Sequence, residues 1–160
     1  MDALAVPGLV LMENAGRGAA EARAARFPER LGRVVCVGGP GQNGGDAWVV
    51  ARHLHSRGVD VVGWRLGERE PEGDAATNLA TLRSLGVPFV PGPAALRDAT
   101  LLVDGVFGTG LTRPVEGAFA EALQALDAAP APLVALDLPS GIDADTGQRL
   151  GHAPHAALTC

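Results

Sequence analysis

Apolar residues occur along this chain of 160 residues either at helical spacing or in short continuous runs, and these two patterns predict its secondary structure. Small and apolar side chains recur at helical spacing over residues 9–27, which predicts a first helix. Amphipathic segments predict further helices at residues 46–56, 74–85 and 116–126, and short apolar runs predict strands at residues 33–37, 60–66, 88–90, 100–106 and 133–136. Helices and strands therefore alternate along the chain.

The predicted strands are largely apolar throughout rather than at every second position. Strands of this kind are covered on both faces, as in parallel sheets with helices on each side. We therefore predict a Rossmann-like, doubly wound α/β fold with a mostly parallel sheet. Because right-handed crossovers bring the carboxyl ends of successive strands to one edge, ligands are expected to bind at that edge.

A glycine-rich turn follows the first predicted strand, at residues 38–46. Gly39, Gly41 and Gly44 match the G-x-G-x-x-G pattern, which lets backbone N–H groups approach a phosphate at the start of a helix. A tight strand-to-helix turn is the alternative interpretation of the same glycines. The turn also holds three side chains with oxygen atoms, Gln42, Asn43 and Asp46. That is more than phosphate binding needs, so this turn is a candidate for further chemistry.

A second candidate segment begins with Asp104, which lies within the apolar run at residues 100–106. A carboxylate there is costly unless it accepts hydrogen bonds from loop N–H groups or binds a cation, and the sequence leaves both open. Residues 108–110 follow as a glycine-rich loop whose N–H groups suit an anion, and the Arg113 guanidinium can pair with a phosphate.

The third candidate segment begins with Asp137, at the end of the last predicted strand and beside a turn that contains Pro139. This position places a carboxylate at the expected ligand edge. Desolvation there can raise the pKa of Asp137 into a range useful for acid–base chemistry. The alternative interpretation is an aspartate that only caps the turn.

Composition limits the function classes further. Hydrophobic residues make up 47% of the chain and charged residues 19%, which favours one globular domain over disorder. The formal net charge of -5 gives no general attraction to nucleic acid, and no apolar run reaches the roughly 18 residues of a membrane span. All 13 basic residues other than histidine are arginine, so Schiff-base and P-loop lysine chemistry are excluded.

The two cysteines, Cys36 and Cys160, are too few for a disulfide framework. Cys36 lies in an apolar run and is expected to be a small buried hydrophobe. The first four residues show no basic region of the kind that opens a signal peptide, so we expect a cytoplasmic, reducing environment.

Four short strings, in order along nearly the whole chain, resemble the YjeF N-terminal domain family, the NAD(P)HX epimerases. They are Leu11-Met12-Glu13-Asn14-Ala15-Gly16, Asn43-Gly44-Gly45-Asp46, Asp104 with Gly108-Thr109-Gly110-Leu111, and Asp137-Leu138-Pro139-Ser140-Gly141. Together they are far more specific than the glycine pattern alone. The resemblance treats residues 1–160 as a single domain of this family.

The resemblance implies an enzyme that interconverts the R and S forms of hydrated NADH and NADPH. It also implies that the enzyme is a homodimer and that it binds a potassium ion. Its potassium ligands by position are Asn43, Asp104 and Ser140, all of which offer oxygen atoms. Its substrate contacts by position are Gln42, Asn43, Gly44, Gly45, Asp46, Gly108, Thr109, Gly110, Leu111, Thr112, Arg113, Pro114 and Asp137. We assign Asp137 the role of general acid–base, because it is a lone carboxylate on a rigid turn beside the expected substrate loop.

The chain departs from the family's usual pattern at three places. Gln42 and Ala47 stand where an asparagine and a glycine are usual, and both changes are expected to affect the fit of the substrate. The sequence also stops at Cys160, where the family continues through another strand and helix, so the domain is expected to be incomplete at its C-terminus.

Two alternatives belong to other function classes. A scaffold of the same fold that binds partners without catalysis has no need for the polar cluster of Asn43, Asp104, Asp137 and Ser140. An ordinary NAD(P)-dependent oxidoreductase fits the glycine pattern. However, the second strand does not end in an acid, and the chain lacks the tyrosine and lysine of a proton relay.

Overall fold

The computed structural model describes residues 6–28 and 32–160, and its strands form one parallel sheet. The strands are β1 (Arg33–Gly38), β2 (Val61–Arg65), β3 (Ala99–Gly105), β4 (Leu133–Ala135) and β5 (Leu158–Thr159). The helices are α1 (Gly8–Arg26), α2 (Gln42–Ser56), α3 (Gly73–Ser84) and α4 (Gly117–Ala128), with a short 3-10 helix at Pro93–Leu96. The fold is the predicted Rossmann-like α/β arrangement.

The strand order across the sheet is β2-β1-β3-β4-β5, and each neighbouring pair is parallel. The chain moves outward from β1 to β2, then crosses back over β1 to β3 and continues in the other direction. The order therefore reverses between β1 and β3. In sheets of this type, the crevice outside the carboxyl ends of the strands at such a reversal is the usual ligand site.

Both faces of the sheet are covered, as the unbroken apolar character of the strands predicts. Successive side chains of a strand point to opposite faces. Cys36 in β1 accordingly joins the core under α1, α2 and α3, while its neighbour Val37 joins the core under α4. The first core is built around Trp48 and the second around Leu123, and both of these side chains are fully buried.

Helix α1 packs on α2 through its small residues, as the sequence indicates. A Cβ atom on Gly16 would lie 2.5 Å from Cβ of Val49, so the two helices approach as closely as glycine allows. Glu13 adds an ion pair with Arg52 and a contact of 2.8 Å from its Oε1 to Nε2 of His53. In the described part of the chain, no helix combines the length and the apolar character needed to cross a membrane.

The strand predicted at residues 88–90 is wrong. Phe89 forms only an isolated bridge with Gly63 at the edge of the sheet. The N–H of Gly63 donates to the carbonyl of Pro88 at 2.9 Å, and the N–H of Val90 donates to the carbonyl of Gly63 at 2.9 Å. Pro88 has no N–H with which to extend the ladder, so the pairing ends there.

Helix α2 begins at Gln42, four residues before the predicted start. The glycines of the turn predict a loop, but tertiary packing overrides that propensity. A Cβ on Gly44 would lie 2.0 Å from the carbonyl oxygen of Gly39, and one on Gly45 would lie 2.7 Å from Sδ of Met12. These two glycines therefore let the first turn of α2 pack against α1 and against the glycine-rich turn that follows β1.

Strand β5 at Leu158–Thr159 is not predicted by the pattern of the sequence. It pairs in parallel with β4, and the N–H of Cys160 donates to the carbonyl of Ala135 at 3.0 Å. The N–H of Asp137 in turn donates to the carbonyl of Cys160 at 2.7 Å. β5 thus holds the backbone of Asp137 at the carboxyl edge of the sheet.

Candidate functional site

The segments that follow β1, β3 and β4 enclose a cavity of about 520 Å³ at the carboxyl edge of the sheet. Its wall consists of the start of α2, the loop after β3 and the turn after β4. The lining residues are Pro40, Gly41, Gln42, Asn43, Asp46, Val106, Phe107, Gly108, Thr109, Gly110, Leu111 and Asp137. The cavity lies where the strand order reverses, which is where the fold predicts a ligand.

Asp104 is fully buried at the end of β3, and its carboxylate accepts three hydrogen bonds. Oδ1 accepts from the N–H of Val106 at 3.1 Å and from Oγ of Ser140 at 2.6 Å, and Oδ2 accepts from the N–H of Ser140 at 2.9 Å. Burial raises the pKa of Asp104, against the lowering effect of these hydrogen bonds. The side chain thereby ties the loop after β3 to the turn after β4.

Ser140 continues this network toward the cavity. Its side chain is buried, and its Oγ accepts a hydrogen bond from the N–H of Phe107 at 2.8 Å while it donates to Asp104. A hydroxyl carries one proton and two lone pairs, so the single proton of Ser140 is used by Asp104 and one lone pair by the N–H of Phe107. The loop after β3 is therefore held by the same hydroxyl that satisfies the buried carboxylate.

Asn43 reaches the same loop from the first turn of α2. Its Nδ2 donates to the carbonyl of Phe107 at 2.9 Å and to that of Leu136 at 3.3 Å. The two carbonyl acceptors fix which end of the amide is nitrogen. Within the described residues, Oδ1 of Asn43 is buried and has no hydrogen-bond partner. An orphaned buried oxygen of this kind calls for an explanation.

The side chains of Asn43, Asp104 and Ser140 are linked through one peptide group, that of Phe107. Nδ2 of Asn43 donates to its carbonyl, Oγ of Ser140 accepts from its N–H, and Asp104 accepts from Ser140. Oxygen ligands of this type suit a hard cation, and the free lone pairs of Asn43 Oδ1 give such an ion a place to bind. The residues present therefore fit the potassium ion that the sequence resemblance implies.

Asp137 stands in the turn after β4 with a left-handed backbone, at a φ of 69°. Its Oδ2 accepts a hydrogen bond from the N–H of Thr109 at 2.9 Å, so the carboxylate faces the loop after β3. The side chain is exposed at the cavity wall. The expected desolvation of Asp137 is wrong, because the structure leaves this residue exposed to solvent.

The desolvated carboxylate of the cavity is instead Asp46, in the first turns of α2. Burial, together with the nearby charge of Asp137, raises the pKa of Asp46 to about 6. Among the described residues, the Asp46 carboxylate has no hydrogen bond or ion pair that would favour its charged form. The sequence indicates Asp46 as a substrate contact but not its raised pKa, because the burial of this side chain depends on how α2 packs in the fold.

The structure brings eight of the predicted substrate residues to this cavity and leaves five outside its lining. Gly44 and Gly45 are buried in the packing of α2, as described above. Thr112, Arg113 and Pro114 are exposed beyond the lining residues of the loop after β3. The positions of these five residues give them no direct contact with the cavity as it stands.

Other reactive groups lie apart from the cavity or are inert. No group of three or more His, Cys, Asp or Glu side chains in the described ranges is arranged to hold a metal ion. Cys36 is fully buried, as predicted, and burial raises the pKa of its thiol to about 12. The described site chemistry therefore rests on aspartate, asparagine and serine oxygens.

Comparison with protein families matches residues 8–160 to the YjeF-related protein N-terminus family. A relative from Limosilactobacillus fermentum named NAD(P)H-hydrate epimerase is 40% identical over 157 residues, covering 98% of this chain and 75% of the relative. One of the same name from Pirellula staleyi is 42% identical over 163 residues, covering 96% of this chain and 71% of the relative.

A longer relative from Thermosynechococcus vestitus, the bifunctional NAD(P)H-hydrate repair enzyme Nnr, is 42% identical over 156 residues. That alignment covers 96% of this chain and 30% of the relative. Among solved structures, the yeast protein ynu0 (YNL200c) superposes with a TM-score of 0.89 at 26% identity. The superposition covers 99% of this chain and 72% of the yeast chain, so the likeness extends over the sheet and its helices.

Proposed function

The chain belongs to the family of YjeF-related protein N-termini, and from this premise we propose that it interconverts the R and S epimers of hydrated NADH and NADPH. Relatives that carry the name NAD(P)H-hydrate epimerase match nearly all of this chain. Hydration of a dihydronicotinamide ring places a hydroxyl on a ring carbon next to nitrogen. That carbon is a stereocentre, and the proposed reaction inverts it.

The observation that carries the proposal is the convergence of Asn43, Asp104 and Ser140 beneath a cavity whose wall holds Asp46 and Asp137. Within this network, Oδ1 of Asn43 is buried without a hydrogen-bond partner, and a buried polar atom of this kind is costly unless a ligand satisfies it. A partner-binding scaffold of the same fold has no use for such an atom. The polar network therefore favours the enzyme.

Asp137 acts as the general acid–base of the proposed reaction. Its exposed carboxylate lies at the cavity wall, and the Thr109 N–H holds Oδ2 at 2.9 Å. From this position the carboxylate assists departure and return of the ring hydroxyl, or opening and reclosure of the ring. Either route gives access to both faces of the reacting carbon, which is what epimerisation requires.

The start of α2 binds the phosphates of the substrate in this proposal. Gly41 precedes the helix, and no side chain caps it, so the first N–H groups of α2 remain available. An uncapped helix N-terminus attracts anions through these groups and through the helix dipole. The glycine turn thus positions the dinucleotide while Asp137 acts on its ring.

Asn43, Asp104 and Ser140 would hold a potassium ion in this proposal, through their side-chain oxygens. When bound, the ion would supply positive charge that favours an anionic dinucleotide. This suits a cavity whose lining residues include Asp46 and Asp137 but no arginine or histidine. The homodimer and the cytoplasmic location stay predictions of the sequence.

The experiment compares the unaltered protein with Asp137→Ala, using chiral separation of the two hydrates. We expect the unaltered protein to convert one purified epimer into a mixture, and Asp137→Ala to lose at least about 100-fold in rate, the usual contribution of a general acid–base. Asp145→Ala, an exposed carboxylate of the same segment, is the matched control and keeps the full rate. Conversion by Asp137→Ala at the unaltered rate would remove the role of Asp137.

A further inference from the structure

Asp46 lies where three cavities meet. It lines the main cavity with Asp137, and it also lines a second cavity of about 550 Å³ that opens between α1 and the end of β4. Asp137 lines that second cavity as well. A third cavity of about 390 Å³, between α1 and α3, contains Asp46 together with Asp74. Asp46 and Asp137 therefore border the same two spaces from two different elements of the fold.

Burial, together with the nearby Asp137 carboxylate, favours the neutral form of Asp46. Among the described residues lining the three cavities, the ionisable neighbours are Asp137 from the turn after β4, Asp74 from α3 and the thiol of Cys160 after β5. Helix α1 and the loop after β3 contribute only uncharged side chains to these linings, and no arginine or histidine is present in them. The raised pKa of Asp46, about 6, agrees with this surrounding.

Asp137 lies in different surroundings. It is exposed to solvent, and the backbone N–H of Thr109 donates to its Oδ2 at 2.9 Å. One cavity therefore brings together a half-buried carboxyl on α2 and an exposed carboxyl that the loop after β3 holds in place.

We propose that Asp46 is the acid partner of Asp137, so that two carboxyls from different elements each move one proton during epimerisation. This inference rests on the proposed function and adds to it a second proton-transfer group. Asp46 acts at the oxygen that leaves the ring, and Asp137 acts at the oxygen that arrives. Two carboxyls from different elements give the reaction a proton donor and a proton acceptor for its two faces.

The bonds and charges of the step balance without a redox partner. The proton of Asp46 passes to the ring hydroxyl as the C–O bond breaks, and the lone pair of the ring nitrogen forms the N=C bond of an iminium ion, releasing water. Water then adds to the opposite face, the N=C electron pair returns to nitrogen, and the surplus proton of the water passes to the Asp137 carboxylate. The reverse conversion uses the two carboxyls with their protons exchanged, and solvent resets them.

The test measures epimerisation rates of Asp46→Asn over a range of pH, with the whole chain and a purified epimer as substrate. The amide keeps the shape of the side chain but carries no acidic proton. We expect at least about a 100-fold loss of rate. In the unaltered protein the rate falls as pH rises through about 6, because Asp46 then loses its proton, and this limb is absent from the residual activity of Asp46→Asn. Asp46→Glu restores part of the rate together with the limb.

Asp145→Asn is the matched control, because Asp145 is exposed, lines none of the three cavities and is not assigned to the reaction. It is expected to keep the unaltered rate and pH profile. Circular dichroism of each variant verifies that it is folded. If Asp46→Asn epimerises at the unaltered rate, the inference is overturned. It is also overturned if Asp46→Asn is slow but its rate still falls as pH rises through about 6. Absence of epimerisation by the unaltered protein would instead overturn the proposed function, and with it this inference.

Discussion

A Cβ atom on Gly108 would lie 2.7 Å from Oδ2 of Asp137. The loop after β3 thus approaches the carboxylate as closely as a residue without a side chain permits. The next residue, Thr109, donates its N–H to the same oxygen at 2.9 Å. The position of the proposed acid–base is consequently set by the backbone of this loop as well as by its own turn.

We predict that Gly108→Ala lowers kcat/KM by about 10- to 100-fold, since a displacement of about 1 Å in a reacting group has effects of this size. The new methyl group forces Asp137 or the loop to move. Gly110→Ala is the control, because a Cβ there meets open space. Steady-state kinetics on both variants, at equal folded fraction, make the comparison. Equal losses in the two variants would show that the contact with Asp137 is irrelevant.

A second prediction concerns the buried network. Ser140→Ala removes the hydroxyl that donates to Asp104 at 2.6 Å and accepts from Phe107 at 2.8 Å. Buried groups left without a partner cost about 1–3 kcal/mol, so we expect the free energy of unfolding to fall by about that amount. Ser84→Ala serves as the control, since its hydroxyl is exposed and bonds only within α3.

Urea unfolding of the two serine variants at one pH provides the measurement. We expect a clear loss for Ser140→Ala and a change within about 0.5 kcal/mol for Ser84→Ala, as is usual for surface substitutions. If Ser140→Ala unfolds at the same urea concentration as the unaltered protein, the network does not stabilise this edge of the sheet.

A third prediction follows from the pKa of Asp46, which rises on folding from 3.8 to about 6. Between these values the folded state binds more protons than the unfolded state, so stability falls as pH rises through this window. The full effect is up to about 3 kcal/mol, at 1.36 kcal/mol per pKa unit. Asp46→Asn, which cannot ionise, is expected to lose this component of the pH dependence.

The measurement is urea unfolding of the unaltered protein and Asp46→Asn at several pH values from about 4 to 7. The difference in the free energy of unfolding between them is expected to shift in favour of Asp46→Asn as pH rises. Glu68→Gln, at an exposed carboxylate, is expected to show no such shift. A constant difference between the unaltered protein and Asp46→Asn would mean that Asp46 titrates normally.

The proposed ion site gives a fourth prediction. Ligands that bind the folded state alone raise its melting temperature. Potassium chloride is expected to raise Tm by about 2–4 °C over choline chloride of equal ionic strength, which corresponds to about 1 kcal/mol. Asn43→Ala lacks the orphaned Oδ1 and should show no such rise. An equal rise in both proteins would place any potassium effect elsewhere.

The sequence was sufficient for the parallel sheet and for the edge that carries the site. Apolar strands such as Val34–Val37 specify burial on both faces whatever surrounds them, so their pattern survives in the fold. The pairing of β5 depends instead on a register with Ala135 that no local pattern records. Residues 88–90 have a strand-like composition, but Pro88 cannot extend the pairing.

The site shows the same division. Asp104 was recognisable as a special residue because a carboxylate in an apolar strand is costly wherever the strand lies. The different exposure of Asp46 and Asp137 was not recognisable, since it depends on how α2 and the turn after β4 face the cavity. In addition, the composition of Gly44 and Gly45 predicts a loop where the structure has the first turn of α2, the helix that carries Asp46.

The most direct measurement of the central claim begins from each epimer of NADHX separately, with chiral separation over time. If the protein is an epimerase, both starting samples reach one common ratio of isomers far faster than they do without protein, and potassium accelerates the approach. Isomer ratios that stay the same as those of the protein-free samples, in the presence of potassium, would contradict the account.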